Sequence, residues 1–251
     1  MTSTREEHDK VEVLDYAERW KRDALASCPR GDSYFALEVD VSKILRGVDD
    51  LKSQGVRANH LHFILHAVAE VLAKQPTLHH FITSRHRVLP DKVDIGLSVV
   101  GRTVVAPVIV IKDVAAKSVA DVAREVAKLQ AEAFVKEKNE LEYLRIWGRF
   151  IPFSLLRRWI SRLVVSRLSF RRNLVGTFQV TTLPNVDLVV PFLFLTPAIL
   201  GVGGIRDRVI AVGGKPEVRP TIILSCVVDH KVWDGARANT FLHNLKNVIE
   251  R

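Results

Sequence analysis

The stretch VVDHKVWDGARANTF, residues 227–241, places His230 and Asp234 four positions apart, with Gly235 directly after the aspartate. A neutral imidazole near pH 7 can take the proton of a thiol or hydroxyl as that group attacks a carbonyl, which makes His230 a candidate general base. Asp234 would support it, directly or through an arginine, and Gly235 would permit a tight turn or a close approach of backbone to a ligand. The same residues have a plainer reading, in which Asp234 caps the free N–H groups of a helix beginning near Ala236. Spacing by itself leaves both readings open.

Two other constellations invite chemistry. His62, His66 and Glu70 follow one another at i+4 on one predicted helix face, a spacing that a metal can use. No metal is expected, because that face partly opposes the apolar stripe of the same helix. Cys226 lies four residues before His230 on a predicted strand and is expected to be packed rather than nucleophilic.

The elements that must hold these residues can be read from periodicity. SYFALEVDVSKIL alternates apolar and polar positions and then turns helical. ANHLHFILHAVAEVLAKQP repeats Leu61, Leu65, Val68 and Leu72 at helical spacing and stops before Pro76. VDIGLSVV and TVVAPVIVI, split by GRT, predict a hairpin, and Ser118 with Asp121 opens an alanine-rich helix through a variant of the capping box. GTFQVTT, AILGVGGI and RVIAVGGKPEVRPTIILSCVV predict strands, and DGARANTFLHNLKNVIE a closing helix. Strands and helices mix without strict βαβ alternation, so the fold class is α+β with a mixed sheet, an α/β sandwich in one domain. The charge-free run LVVPFLFLTPAILGVGGI is broken by prolines and glycines and predicts two buried strands around TPA, not a membrane span.

Composition sets the outer limits. The 251 residues fit one large domain or two small ones, and 47% hydrophobic with 26% charged residues is ordinary for a soluble globular protein. Cys28 and Cys226 are the sole cysteines, with no CxxC spacing, and the polar N-terminus lacks the apolar core of a secretory signal. A reducing cytoplasm is the expected location. The net charge is +9, and Arg145, Arg149, Arg157, Arg158, Arg162, Arg167, Arg171 and Arg172 supply eight of those charges with no acidic residue between Tyr143 and Val186. A basic excess so confined predicts a local docking surface, not a nucleic-acid binder.

The C-terminal segment PTIILSCVVDHKVWDGARANTFLHNLKNVIE resembles the end of the catalytic domain of the 2-oxoacid dehydrogenase dihydrolipoamide acyltransferases, where a strand leads into DHR-x-x-DG and a helix. Lys231 stands in place of the usual arginine. YFALEVDVS, HFILHAVAEVLAKQPTL, VDIGLSVVGRTVVAPVIVIKDVAAKSVADVAREV, GTFQVTTL (the family's GTFTISNLG) and TPAILGVGGIRDR follow in the family's order. The resemblance covers residues 33–251, the expected catalytic domain, after an N-terminal segment 1–32 that is expected to contain a helix, and residues 143–172 form an arginine-rich, helical insert within it. The chloramphenicol acetyltransferases share this fold and the histidine motif.

The resemblance implies a homotrimer with sites between subunits, and transfer of an acyl group, acetyl above all, from acetyl-CoA, another acyl-CoA or a carrier thioester. The acceptor would be a hydroxyl or thiol of a small or acyl-carrier-linked molecule. Thr181 matches the serine that stabilises the oxyanion, although TTLPN departs from the family's Leu-Gly. AERW resembles the family's AERM and makes Arg19 and Arg22 candidates to contact CoA phosphates or to neutralise Asp234. Because the resemblance begins almost at once, no lipoyl domain or lipoyl group is expected on this chain. O-acetylation of the tetronate-assembly type is the favoured specific expectation. The alternatives are a non-catalytic trimeric scaffold, or the core of a dehydrogenase complex whose lipoyl domains lie on another chain. The insert, with Trp147, Phe150, Phe153, Leu156, Trp159 and Leu163 among its arginines, is expected to cover the site, to dock an acidic carrier protein, or to make peripheral membrane contact. Trp233 is expected to shape the acceptor pocket.

Overall fold

The computed structural model describes residues 10–13, 32–83, 85–99, 107–147, 163, 166–193 and 195–251. The chain runs through β1 (Lys10–Val13) and β2 (Asp32–Asp40), then α1 (Ser42–Ser53) and α2 (His60–Lys74). The short strands β3 (Phe81–Ile82), β4 (His86–Leu89), β5 (Ile95–Ser98) and β6 (Val108–Ile111) lead through a 3-10 turn at Val114–Ala116 into α3 (Val119–Trp147). The second half holds α4 (Leu168–Val175), β7 (Phe178–Thr182), β8 (Ala198–Val202), β9 (Arg206–Val212), β10 (Lys215–Asp229) and α5 (Gly235–Glu250).

Side chains set the helix starts. The Asn59 carboxamide accepts from Leu61 N at 3.0 Å while His62 Nδ1 accepts from Asn59 N at 3.0 Å, so the first turn of α2 is capped from both directions. At α3, Ser118 Oγ accepts from Asp121 N at 3.1 Å and the Asp121 carboxylate reaches back to Ser118, as the spacing predicts. The predicted stripe on α2 is wider than expected: Ile64, Ala67, Ala69 and Val71 are buried with Leu61, Leu65, Val68 and Leu72, because the helix packs against the sheet and against neighbouring helices at once.

Six strands lie in the order β2-β10-β8-β7-β5-β6, and β9 pairs with the outer half of β10. β7 runs parallel to β5 and β8 while the other pairs are antiparallel, which is the mixed sheet that the sequence predicts. β5 and β6 form the predicted hairpin: Val99 N donates to Pro107 O at 2.9 Å, and residues 100–106, GRT among them, lie outside the described residues. Val39, Ile95, Leu97, Phe178, Val180, Leu200, Leu224 and Cys226 face the helices and build the core with the buried sides of α2, α3 and α5. β1, β4 and β3 form a separate small sheet.

The apolar run 188–205 departs from expectation. Its second half is β8, but residues 188–193 form no strand, and Leu188, Val190 and Phe192 are exposed. The backbone from Pro184 to Val189 instead lies against the sheet face turned away from the helices. A Cβ on Gly203 would stand 2.1 Å from Asp187 O, and one on Gly201 2.5 Å from Val189 O, so glycine is what permits this approach. The alternate residues then point outward. Among the described residues no helix is long and apolar enough to cross a membrane.

Candidate active site

His230 follows the last residue of β10, in a turn fixed by backbone hydrogen bonds. Asp229 N donates to Pro197 O at 2.9 Å, and Asp229 O accepts from Val232 N at 2.8 Å and Trp233 N at 2.9 Å. The Asp229 carboxylate accepts from Lys231 N at 3.0 Å. The side of the turn facing the core is filled by Trp233, which is 1% exposed and lies against Phe241 (ring centroids 5.4 Å apart) and Phe178 (6.4 Å). Trp233 is thus a core anchor, and the expectation that it shapes an acceptor pocket is corrected.

The imidazole of His230 stays exposed, and its Nδ1 lies 3.0 Å from Trp233 O. A carbonyl oxygen can only accept, so Nδ1 carries a proton, and in the neutral ring the lone pair is on Nε2. The turn therefore presents an oriented imidazole.

Asp234 has the plainer role of the two that its spacing allowed. It is the N-cap of α5: Oδ1 accepts from Arg237 N at 2.8 Å and Oδ2 from Arg237 Nη1 at 2.7 Å. Both oxygens are engaged by Arg237, so of the two ways in which Asp234 was expected to act, directly or through an arginine, the described residues show it beside an arginine. Gly235 is the first residue of α5, and a Cβ there would first meet the Phe35 ring at an ordinary 3.8 Å.

Thr181 lies on β7, half-buried, on the sheet face away from the helices. Its partner in β8 is Gly201, which pairs with Ser225 of β10. His230 is five residues beyond Ser225, so the two side chains are separated by ~16 Å along the strands and ~10 Å across two strand spacings. One chain does not bring them together.

Arg19 and Arg22 lie outside the described residues, as do Cys28 and the insert's Arg149, Arg157, Arg158 and Arg162. Where the arginine-rich segment is described, α3 reaches Trp147 and α4 begins at Leu168. Arg172 is buried, and Arg171 lies over the Phe81 ring at 5.8 Å, so these two arginines pack inward and offer little docking surface. Leu163 is exposed. Of His62, His66 and Glu70 on α2, two are engaged in other ways: His62 caps its helix, and Glu70 accepts from Lys74 and Arg251. Cys226 is fully buried, and burial raises its thiol pKa, so it is packed as expected.

Two residues escaped sequence reasoning. His79 and His80 are buried in the turn after α2, beside β7 and the His230 turn respectively. Their signal was a bare His-His pair after Pro-x-Leu, which carries no periodicity. His79 Nε2 lies 2.7 Å from Thr177 Oγ1. That hydroxyl donates to Asp94 O and accepts from Asp94 N, both at 3.0 Å, so its remaining lone pair takes the His79 Nε2–H.

The sequence model of the family described as 2-oxoacid dehydrogenases acyltransferase (catalytic domain) matches residues 23–143 and 176–251. The unmatched stretch between them holds most of the arginine-rich segment. The human mitochondrial dihydrolipoyllysine-residue succinyltransferase component of the 2-oxoglutarate dehydrogenase complex is 31% identical over 210 residues, covering 80% of this chain and 38% of its own length. Its Escherichia coli K12 counterpart is 26% identical over 203 residues, 79% of this chain and 42% of its own. The chain thus spans less than half the length of these curated relatives. Among solved structures, a probable dihydrolipoamide acetyltransferase from Listeria monocytogenes superposes with a TM-score of 0.68 at 20% identity, covering 97% of this chain and 95% of that one. A chloramphenicol acetyltransferase superposes with a TM-score of 0.59 at 12% identity, covering 96% and 100%. The architecture is the chloramphenicol acetyltransferase-like one.

Proposed function

Because the chain belongs to the family of 2-oxoacid dehydrogenase acyltransferase catalytic domains, we propose that it moves an acyl group between a CoA thioester and the thiol of a dihydrolipoyl group, with His230 as general base. The observation that carries this reading is the hydrogen bond from His230 Nδ1 to Trp233 O, which in the neutral ring puts the lone pair on Nε2 of an exposed imidazole. In the transfer, Nε2 accepts the thiol proton as the sulfur forms a bond to the thioester carbonyl carbon. The resulting oxyanion needs a donor, and the Thr181 hydroxyl supplies one. Collapse breaks the bond to the CoA sulfur, which takes the proton back from Nε2. Acyl-CoA and dihydrolipoyl thiol thus become acyl-dihydrolipoyl thioester and free CoA, and the same steps run in reverse.

The separation of Thr181 from His230 supports a homotrimer in which one subunit gives the histidine and its neighbour the hydroxyl. The names of the curated relatives support a thiol acceptor, and no observation favours the hydroxyl acceptor of a tetronate-type pathway. The lipoyl group would then come from outside the described residues, for example from a partner chain. A non-catalytic scaffold would have no need of a histidine held in one tautomer, which argues for the enzyme.

The test supplies acetyl-CoA and succinyl-CoA separately with dihydrolipoamide and measures the S-acyl product by mass. Transfer by the wild type that collapses in His230→Ala is the expected result. Absence of transfer from both thioesters, or full turnover in His230→Ala, would overturn the reading.

A further inference from the structure

The sheet face turned away from the helices carries a second hydroxyl beside Thr181. β5 and β7 run parallel in the register Ile95 to Phe178, Gly96 to Gln179 and Leu97 to Val180, so the next residues, Ser98 and Thr181, stand opposite each other. Ile95, Leu97, Phe178 and Val180 point into the core, and the alternation of the strands turns Ser98 and Thr181 together to the other face. Adjacent strands set the two about 4.8 Å apart. Both residues are half-buried. Among the described residues neither hydroxyl has a hydrogen-bond partner, and the two do not bond each other.

The surface around the pair is covered. A Cβ on Gly201, the partner of Thr181 in β8, would lie 2.5 Å from Val189 O and 3.0 Å from Pro191 Cδ, so the segment before β8 lies over that position. A Cβ on Gly96, two residues before Ser98, would lie 2.1 Å from Val175 O, so the end of α4 lies over that one. Val108 of β6 flanks Ser98 on the side away from Thr181. Between these walls the described residues leave the two hydroxyls accessible.

We propose that Ser98 is a second oxyanion donor, acting with Thr181 on one thioester carbonyl. The inference rests on the reading of Thr181 as the first donor and deepens it. β7 lies between β5 and β8, and its backbone N–H groups are taken by the ladders on either side, so an oxyanion hole at this place must be built from side chains. One hydroxyl supplies one hydrogen bond, whereas the reacting carbonyl oxygen has two lone pairs and gains charge as the carbon–sulfur bond forms. Two hydroxyls that each approach a shared oxygen to about 2.8 Å can stand up to about 5.6 Å apart. The spacing of β5 and β7 falls inside that limit. Ser98 Oγ and Thr181 Oγ1 both donate to the oxygen and neither gives up its proton, so the balance of the transfer is unchanged.

The experiment uses acetyl-CoA labelled with 13C at the carbonyl carbon. It reads the carbonyl stretch of the bound thioester by infrared difference spectroscopy, and kcat and KM for transfer to dihydrolipoamide, in the wild type, Ser98→Ala, Ser98→Thr and Thr181→Ala. The wild-type band is expected below that of free acetyl-CoA, and each alanine variant moves it part of the way back. Ser98→Ala lowers kcat by about a hundredfold with KM for acetyl-CoA near that of the wild type. Ser98→Thr, which keeps the donor, retains the band and most of kcat. The urea midpoint of Ser98→Ala should match the wild type, because the hydroxyl it removes bonds no described residue. Wild-type kcat and band in Ser98→Ala, beside losses in Thr181→Ala, would overturn the second donor and leave the Thr181 reading standing. Wild-type kcat and band in both alanine variants would overturn the two together. The band needs no acceptor, so absent transfer to dihydrolipoamide with the band shifts intact would count against the proposed acceptor and support the donor pair.

Discussion

His230 and Thr181, the two residues assigned to one reaction, are held in unlike ways. His230 stands beyond a strand end, where there is no ladder to fix it, and its turn depends on particular groups: the Asp229 carbonyl, the Trp233 ring and the Trp233 carbonyl. Thr181 stands within β7, between β5 and β8, where the register of the sheet positions its backbone. A base must hold one tautomer and one direction, so its support is specific and easily damaged. A hydroxyl donor can rotate to meet its acceptor, and a sheet position is support enough.

The largest expected effect removes the base itself: His230→Ala should lower transfer by about a thousandfold and leave the fold intact, because the ring is exposed. Trp233→Ala strikes the support instead. Loss of a buried indole between Phe178 and Phe241 should cost about 4 kcal/mol of stability, read as a lower urea midpoint. If activity of the folded fraction falls as well, the turn depends on that anchor. Stability loss with unchanged kcat would separate the anchor from the base.

Thr181→Ala should lower kcat by about a hundredfold. The comparison becomes sharper when two inactive proteins are combined. Co-assembled His230→Ala and Thr181→Ala chains should regain about a quarter of wild-type activity if each site takes its base and its donor from neighbouring subunits. No recovery would mean that the two residues do not serve one shared site.

The elements were legible because their periodicity reports burial: β10 and α5 follow their patterns, and α2 is a helix where its spacing predicts one, with a wider buried face. Residues 188–193 were misread because an apolar run does not say what covers it, and here the backbone, not the side chains, faces the sheet. The strand, turn and helix around His230 were legible from its motif. The role of Asp234 was half legible, since a D-x-x-R spacing at a helix start allows the cap and the ion pair seen with Arg237. His79 and His80 were not legible, because their partners, Thr177 and the 229–234 turn, are far off in sequence and come near only in the folded sheet.

The same buried pair predicts a pH effect away from the reaction. Burial first, then Arg172, lowers the His79 pKa to about 3, and burial with Arg87 and Arg237 lowers that of His80 to about 4. The unfolded chain protonates both near pH 6.5, so between that value and pH 4 it holds more protons than the folded chain. Stability is then fully present above pH 6.5 and declines as pH falls, by about 2 kcal/mol per histidine between pH 7 and pH 5. In His80→Phe the urea midpoint should fall less steeply over that range. An equal slope in both proteins would mean that His80 is already charged in the folded state.

The smallest expected effect decides what Asp234 does for the turn. Asparagine caps a helix about as well as aspartate but carries no charge. If the carboxylate serves only as the N-cap of α5, Asp234→Asn should keep both stability and kcat near wild type, while Asp234→Ala loses about 1 kcal/mol. The ion pair with Arg237 adds little to this, because both side chains are substantially exposed. A fall in kcat in Asp234→Asn with an unchanged urea midpoint would point the other way. The negative charge would then matter to His230, through a contact that forms only when a second subunit is present, and the two halves of the site would be coupled by charge as well as by geometry.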